Sequence, residues 1–182
     1  MFGISVLDIT RVLSGLLLLN ALVSYTLTNS STWGYSGKYV DTQYLLHLLR
    51  GAPLRKFTLS TLAEEVNVTG RLLISVNRTV FDVTASRDIY DPNRITARYK
   101  LFVGRDCTRM YVNGCFRDEE QCSWDIRNTG FDDEWVNKTV KHWVDFYSNH
   151  RNYWIVGYLD VSQEESLDTP PVCLNGLRYP VI

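Results

Sequence analysis

Three histidines and four cysteines are the first side chains to consider for metal binding or nucleophilic chemistry in this sequence. His142 and His150 lie eight residues apart, so they share a helix face only approximately and do not form a metal pair. With His47, they are most simply surface or capping residues. The sequence contains no G-x-S-x-G, no glycine-rich phosphate loop and no H-E-x-x-H motif. We therefore predict no catalytic residues and no enzymatic activity.

The cysteines are Cys107, Cys115, Cys122 and Cys173. They form no C-x-x-C motif and no Cys/His spacing that suits zinc. Four cysteines allow three pairings if the domain folds in an oxidising compartment, whereas in the cytosol they would be free thiols. The sequence alone leaves both states open.

Aromatic residues make up 13% of the chain, with eleven tyrosines and five tryptophans. At this density they can line a flat ligand pocket, although composition alone favours a tyrosine-rich core and surface. The formal net charge is −1 and no basic stripe with interleaved aromatic residues appears, which argues against a nucleic-acid-binding surface. The length of 182 residues suits one anchored domain.

The segment from Val12 to Thr28 carries no charged residue over 17 positions, which is the short end of a transmembrane span. A cleaved signal peptide is the alternative, but the stretch is somewhat long for the hydrophobic region of a signal peptide and no clean A-x-A site follows. We predict an N-terminal segment over 1–11 and an uncleaved single-pass anchor over 12–28.

Two signals disagree about the side of the membrane on which the domain lies. Arg11 precedes the span, and four basic residues follow it: Lys38, Arg50, Arg55 and Lys56. This bias favours a cytosolic domain. Four Asn-X-Ser/Thr sequons favour the opposite side, at Asn29, Asn67, Asn77 and Asn137. We predict a cytosolic domain on the endoplasmic reticulum or another endomembrane.

The rest of the chain divides into a stalk over 29–53, a domain over 54–160 and an irregular tail over 161–182. In the stalk, Tyr44 to Arg50 predicts an amphipathic helix that lies either on the membrane or against the domain.

Within the domain, Thr58 is a plausible helix N-cap, and Phe57 with Leu62 forms a hydrophobic staple. Alternation predicts strands over 72–76 and 79–83, joined by an Asn77-Arg78 hairpin, and a last strand over 152–159. Helices are predicted over 97–112 and 132–149. Strands and helices are interspersed without strict alternation, which predicts an α+β fold.

Four segments follow one another in an order that resembles a known family: FTLSTLAEEV, LLISVNRTVFDVTASRDIY, YKLFVGRDCTRMYVNGCF and HWVDFYSNHRNYWIVGYL. The sequence resembles the membrane-associated progesterone receptor group of cytochrome b5-like haem/steroid-binding proteins. It is particularly similar to the fungal members, in which a stretch like Thr32 to Tyr39 follows the membrane span. The similarity covers Phe57 to about Leu159, and its most specific motif is Y-x-x-F-x-G-[RK]-D-x-[ST]-R.

This resemblance implies a non-covalent b-type haem whose iron is bound by the phenolate of Tyr99. It implies that Tyr153 donates a hydrogen bond to this ligand and that Tyr90 is a third tyrosine of the pocket. A phenolate is a hard, anionic donor that favours ferric iron, and nearby Arg98, Arg105 or Arg109 could lower the pKa of the phenol.

The resemblance further implies a haem carrier, or a regulator of membrane enzymes of sterol and haem-thiolate metabolism. Expected partners are the membrane, membrane haem-thiolate monooxygenases, a sterol and a second copy of the chain in a homodimer. A haem-free scaffold and a steroid- or lipid-binding module are the alternatives.

The sequence departs from the family pattern between Tyr90 and Tyr99. The loop between them, which is usually glycine-rich, is longer here and contains no glycine. In addition, Asn152 replaces the lysine that usually precedes the tyrosine at position 153. If Ile95 fills the pocket, haem is excluded.

Overall fold

The computed structural model describes residues 5–51, 53–162, 169–174 and 176. Helix α1, Val6–Thr28, begins at a capping box formed by Ser5 and Asp8 and ends at Asn29 in the left-handed conformation. By length and composition α1 could cross a membrane. It starts earlier than the predicted span because the capping box extends the helix through Asp8 and Arg11.

Helix α2, Thr42–Arg50, packs against the domain through one face. The rings of Tyr44 and His47 lie 5.3 and 5.6 Å from that of Trp154. Asp41, the α2 N-cap, forms a 2.7 Å ion pair with Arg71. Of the two predicted positions for this helix, the structure thus shows docking on the domain. Four leucines remain exposed along it: Leu45, Leu46, Leu48 and Leu49.

A four-stranded sheet forms the centre of the domain, in the order β1-β4-β3-β2. The strands are β1 Arg55–Phe57, β2 Leu73–Val76, β3 Thr79–Asp82 and β4 Trp154–Leu159. β1 pairs with β4 in parallel, and the other two pairings are antiparallel. The three predicted strands are confirmed, whereas the three-residue strand β1 was not predicted. The combination of this mixed sheet with helices confirms the α+β class.

The helices after α2 are α3 Leu59–Thr69, α4 Arg87–Tyr90, α5 Thr108–Asn113 and α6 Asp133–Asn149. Thr58 caps α3 as predicted, and α6 closely matches its prediction. The predicted helix over 97–112 is correct only in its last part, since residues 108–112 belong to α5, and the part before them is not one continuous helix. Gly104, at φ +75°, turns the chain so that its amide donates to the Leu73 carbonyl, and residues 104–106 lie beside β2 instead of continuing a helix.

Apolar side chains pack on both faces of the sheet. On one face Leu73, Val80 and Leu159 pack with Leu62 of α3. On the other, Ile74 and Phe81 join a cluster that includes residues of α5 and α6. The domain therefore has three layers, with the sheet between α3 and the α5–α6 pair.

Two disulfides resolve the pairing that the sequence left open. Cys107 pairs with Cys122, and Cys115 pairs with Cys173. The second bond fastens the part of the tail at 169–174 to the end of α5.

Candidate functional site

Five tyrosines converge where α4, α5 and α6 meet the beginning of β4, and we call them the tyrosine cluster: Tyr90, Tyr99, Tyr111, Tyr147 and Tyr153. Tyr90 ends α4, Tyr111 belongs to α5 and Tyr147 to α6. Tyr99 precedes a short 3₁₀ turn, and Tyr153 precedes β4. Four of the five are almost completely buried; Tyr99 is 38% exposed.

Tyr147 is the centre of a hydrogen-bonded hydroxyl network. Its Oη lies 2.9 Å from the Oη of Tyr90 and 2.8 Å from that of Tyr111. Tyr153 donates to Ser86 Oγ at 2.8 Å. The buried phenols of the cluster are thus satisfied by protein partners, as buried polar groups must be.

Burial raises the pKa of Tyr90 well above its ordinary value, and the adjoining Tyr147 and Tyr153 add to the effect. Burial likewise raises the pKa of Tyr147 and Tyr111. These phenols therefore remain neutral and serve as hydrogen-bonding groups rather than anionic ligands.

Tyr99 differs because its ring lies on the open side of the cluster. Its centroid is 5.6 Å from that of Phe102, 6.0 Å from that of Phe116 and 6.2 Å from that of Tyr90. Phe116 is 39% exposed, so together with Tyr99 it forms an aromatic surface that reaches solvent. Among the described residues no hydrogen bond engages the Tyr99 hydroxyl, which leaves the phenol available to a ligand.

The structure brings together the three tyrosines to which the resemblance pointed, but not in the expected arrangement. Tyr90 lies between Tyr99 and Tyr153, with its ring centroid 6.2 and 6.4 Å from theirs. Within the described chain Tyr153 makes no hydrogen bond to Tyr99, because its hydroxyl donates to Ser86. His150 stacks on Tyr153 at 3.7 Å between centroids, a contact that the sequence did not predict.

The arginines proposed to act on the Tyr99 phenol have other partners or point outward. Arg105 pairs with Glu119 at 2.6 Å, and Arg98 is exposed. Arg109 is fully buried, but its guanidinium donates to Gln121 and to backbone carbonyls away from the tyrosines. A cation from the stalk does contact the cluster, because Lys38 Nζ donates to the Tyr153 carbonyl at 3.0 Å.

The loop from Tyr90 to Tyr99 does not cover the tyrosine cluster with Ile95. Ile95, the residue that could have occupied it, is 99% exposed. Asp91 shapes the loop by accepting the Asn93 amide at 3.0 Å, and the Tyr99 amide donates to the Ile89 carbonyl. With the loop in this conformation, Tyr99 is 38% exposed.

Sequence reasoning missed Tyr111 and Tyr147, although Tyr147 carried a detectable signal. It continues the apolar face of α6 that includes Val136 and Val140, at helical spacing. Its hydroxyl at the end of an apolar face required a buried partner. The partners themselves could not be read from spacing because α4 and α5 are distant in sequence.

The described residues contain no group of three or more His, Cys, Asp and Glu side chains that could hold a metal ion. No protein-family model and no curated protein matches the chain. Among solved structures, the chain is similar to a hypothetical protein from Arabidopsis thaliana that is described as having a cytochrome b5-like fold. The two are 24% identical, with a TM-score of 0.46, over 58% of this chain and 91% of the other.

Proposed function

We propose that the domain binds b-type haem through Tyr99, as a membrane-anchored haem carrier or as a regulator of membrane sterol or haem-thiolate enzymes. The observation that carries this proposal is the difference among the five tyrosines. Four have buried rings, and their hydroxyls bond to protein groups, while Tyr99 has an open phenol on an aromatic surface.

The residues around Tyr99 suit a flat, apolar ligand with one metal coordination position. Phe116, which is 39% exposed, offers a ring against which a porphyrin could lie, as aromatic walls do in cofactor pockets, and the buried Phe102 packs beside the Tyr99 ring. The exposure of Ile95 leaves the approach open. Haem would supply a ferric iron, for which a phenolate oxygen is a suitable hard donor.

Tyr90 and Tyr153 would position Tyr99 by ring packing, and not by a direct hydrogen bond from Tyr153. Tyr90 contacts the Tyr99 ring and is fixed by its bond to Tyr147. Tyr153 contacts Tyr90 and is fixed by Ser86 and by the stacked His150. Each tyrosine therefore limits the movement of the next, which orients the phenol of Tyr99.

A haem-free interaction module is the second candidate, and one observation favours it. The buried hydroxyls of the cluster are satisfied without any ligand, and Arg105 and Arg109 are engaged elsewhere. A site built only for structure would have these properties too. In either case the domain acts as a binding module, not an enzyme.

A haemin titration of the full chain in detergent separates the two candidates. Wild type is compared with Tyr99→Phe and with Tyr158→Phe, a control on β4 that is 48% exposed. We expect one-to-one binding with a ferric tyrosinate spectrum in wild type and Tyr158→Phe, and at least tenfold weaker binding without that spectrum in Tyr99→Phe. Absent binding, or binding that Tyr99→Phe leaves unchanged, would favour the haem-free module.

A further inference from the structure

The disulfides bear on the compartment in which the domain folds. In the described part of the chain no cysteine is free. Forming each bond removes two electrons and two protons from a pair of thiols, which a disulfide-containing oxidant must accept. The cytosol keeps thiols reduced, whereas the lumen of the secretory pathway supplies such oxidants. Two formed bonds in one domain therefore favour the lumenal side.

The charge bias that predicted a cytosolic domain is weak when only the basic residues close to the end of α1 are counted. Only basic residues within about 15–20 positions of a span contribute strongly to orientation. The helix ends at Thr28, so Lys38 is the one basic residue in this window on the domain side, and Arg11 lies on the other side. Arg50, Arg55 and Lys56 are farther away. The charges are therefore balanced and do not oppose a lumenal domain.

The asparagines of the four sequons are all exposed. Asn67 is near the end of α3, Asn77 is in the turn between β2 and β3, and Asn137 is on the outward face of α6. None belongs to the tyrosine cluster, so a glycan at any of the three is compatible with the folded domain. Asn29 directly ends α1, where a membrane would block access.

We infer that the domain lies on the lumenal side of its membrane and carries N-linked glycans at Asn67, Asn77 and Asn137. In this modification the side-chain amide nitrogen bonds to the anomeric carbon of a lipid-pyrophosphate-linked oligosaccharide. The bond from that carbon to the pyrophosphate oxygen breaks, the lipid pyrophosphate leaves with the electron pair, and the amide loses one proton. The hydroxyl residue of each sequon, Thr69, Thr79 or Thr139, completes the recognition motif.

The full chain expressed in a eukaryotic cell tests the acceptors. We expect peptide N-glycosidase to increase its gel mobility, and Asn67→Gln, Asn77→Gln and Asn137→Gln each to remove one of three steps. The matched control is Asn149→Gln, an exposed asparagine outside any sequon, which should leave all three steps. A wild-type chain whose mobility the enzyme does not change would overturn the glycan assignment.

The side of the membrane is tested separately, in sealed microsomes. We expect protease added outside to leave the domain intact until detergent opens the vesicles, and a thiol reagent to label the denatured chain only after reduction. Digestion of the domain in sealed vesicles, or labelling without reduction, would overturn the lumenal assignment. Neither measurement depends on haem, so their outcome is independent of the proposed role of Tyr99.

Discussion

At the scale of single residues, Tyr147 connects the buried part of the tyrosine cluster. Its hydroxyl bonds to both Tyr90 and Tyr111 in a region without access to water. Replacing it with phenylalanine keeps the ring but leaves two buried hydroxyls short of a partner, and each such group costs about 1–3 kcal/mol. We expect Tyr147→Phe to lower the free energy of unfolding by about 2 kcal/mol, measured by urea denaturation.

The control for this substitution removes the hydroxyl of a tyrosine that is not buried. Tyr158 on β4 is 48% exposed, so Tyr158→Phe should change the free energy of unfolding by less than about 0.5 kcal/mol. Equal stability of the Tyr147→Phe and Tyr158→Phe variants would show that the hydroxyl network contributes nothing to folding.

The same phenols make stability depend on alkaline pH. The pKa values of Tyr90, Tyr111 and Tyr147 are raised in the folded state, mainly by burial. In the unfolded chain they ionise near pH 10. Below that pH their contribution to stability is fully present. Above it the unfolded state loses protons that the folded state keeps, so stability falls as pH rises.

We expect the urea midpoint to be flat with respect to these groups up to about pH 9 and to fall above about pH 10. Three groups give a slope of up to about 4 kcal/mol per pH unit, and Tyr147→Phe should reduce it by about one third. Tyrosinate absorbance should rise for the buried phenols only as the chain unfolds. A separate tyrosinate transition of these residues in the folded protein would contradict the assignment.

At the scale of elements, Arg109 joins α5 to two segments that have no regular structure. Its guanidinium donates to the carbonyls of Asp125, Arg127 and Asn128 in one segment. It also donates to the carbonyls of Pro170 and Pro171 in the other. A lysine has the same charge but not the planar fork of donors, so it cannot satisfy carbonyls on both segments.

We expect Arg109→Lys to lower the free energy of unfolding by about 3 kcal/mol or more, because several buried carbonyls lose their donors. Amide hydrogen exchange should increase selectively over 125–129. The exposed Arg117 gives the matched variant, and Arg117→Lys should be within about 0.5 kcal/mol of wild type. Unchanged exchange over 125–129 in Arg109→Lys would mean that the guanidinium does not hold this segment.

The elements also show what local sequence can and cannot determine. Strands β2 and β3 were predictable because Leu73–Val76 and Thr79–Asp82 alternate or run apolar beside a two-residue turn. That turn places Asn77 and Arg78 at positive φ, and a distant residue stabilises it, since the Arg78 amide donates to Asp106. A distant contact likewise divides the helix expected over 97–112, because Asp106 forms a bridge with Ser75 of β2 and the α-helical part begins only at Thr108.

The candidate site, too, could be predicted from the sequence only in part. The resemblance identified Tyr90, Tyr99 and Tyr153, and the structure places these three in one cluster. The hydroxyl contacts could not be inferred, because the partner of Tyr153 is Ser86 and that of Tyr90 is Tyr147, both far along the chain. Sequence similarity can suggest which side chains meet, whereas the direction of each hydroxyl depends on the packing of the whole domain.

At the scale of the whole molecule, the two disulfides restrict the unfolded chain to different extents. Cys107 and Cys122 are 15 residues apart, and Cys115 and Cys173 are 58 apart. Loop-closure entropy gives about 3 and about 4 kcal/mol for these separations, so the longer loop should contribute more. It also holds the segment 169–174, from which Pro171 accepts a bond from Gln121 at 3.0 Å.

We therefore expect Cys115→Ser with Cys173→Ser to destabilise the domain more than Cys107→Ser with Cys122→Ser. In urea denaturation, a reductant should lower the free energy of unfolding of wild type by more than either pair of substitutions does. The reductant should have no effect on a chain in which all four cysteines are replaced. A domain that lost this stabilisation in a reducing compartment would be only marginally stable, because typical domains have about 5–15 kcal/mol in total. An unfolding midpoint that the reductant leaves unchanged would remove this physical reason for maturation in an oxidising lumen.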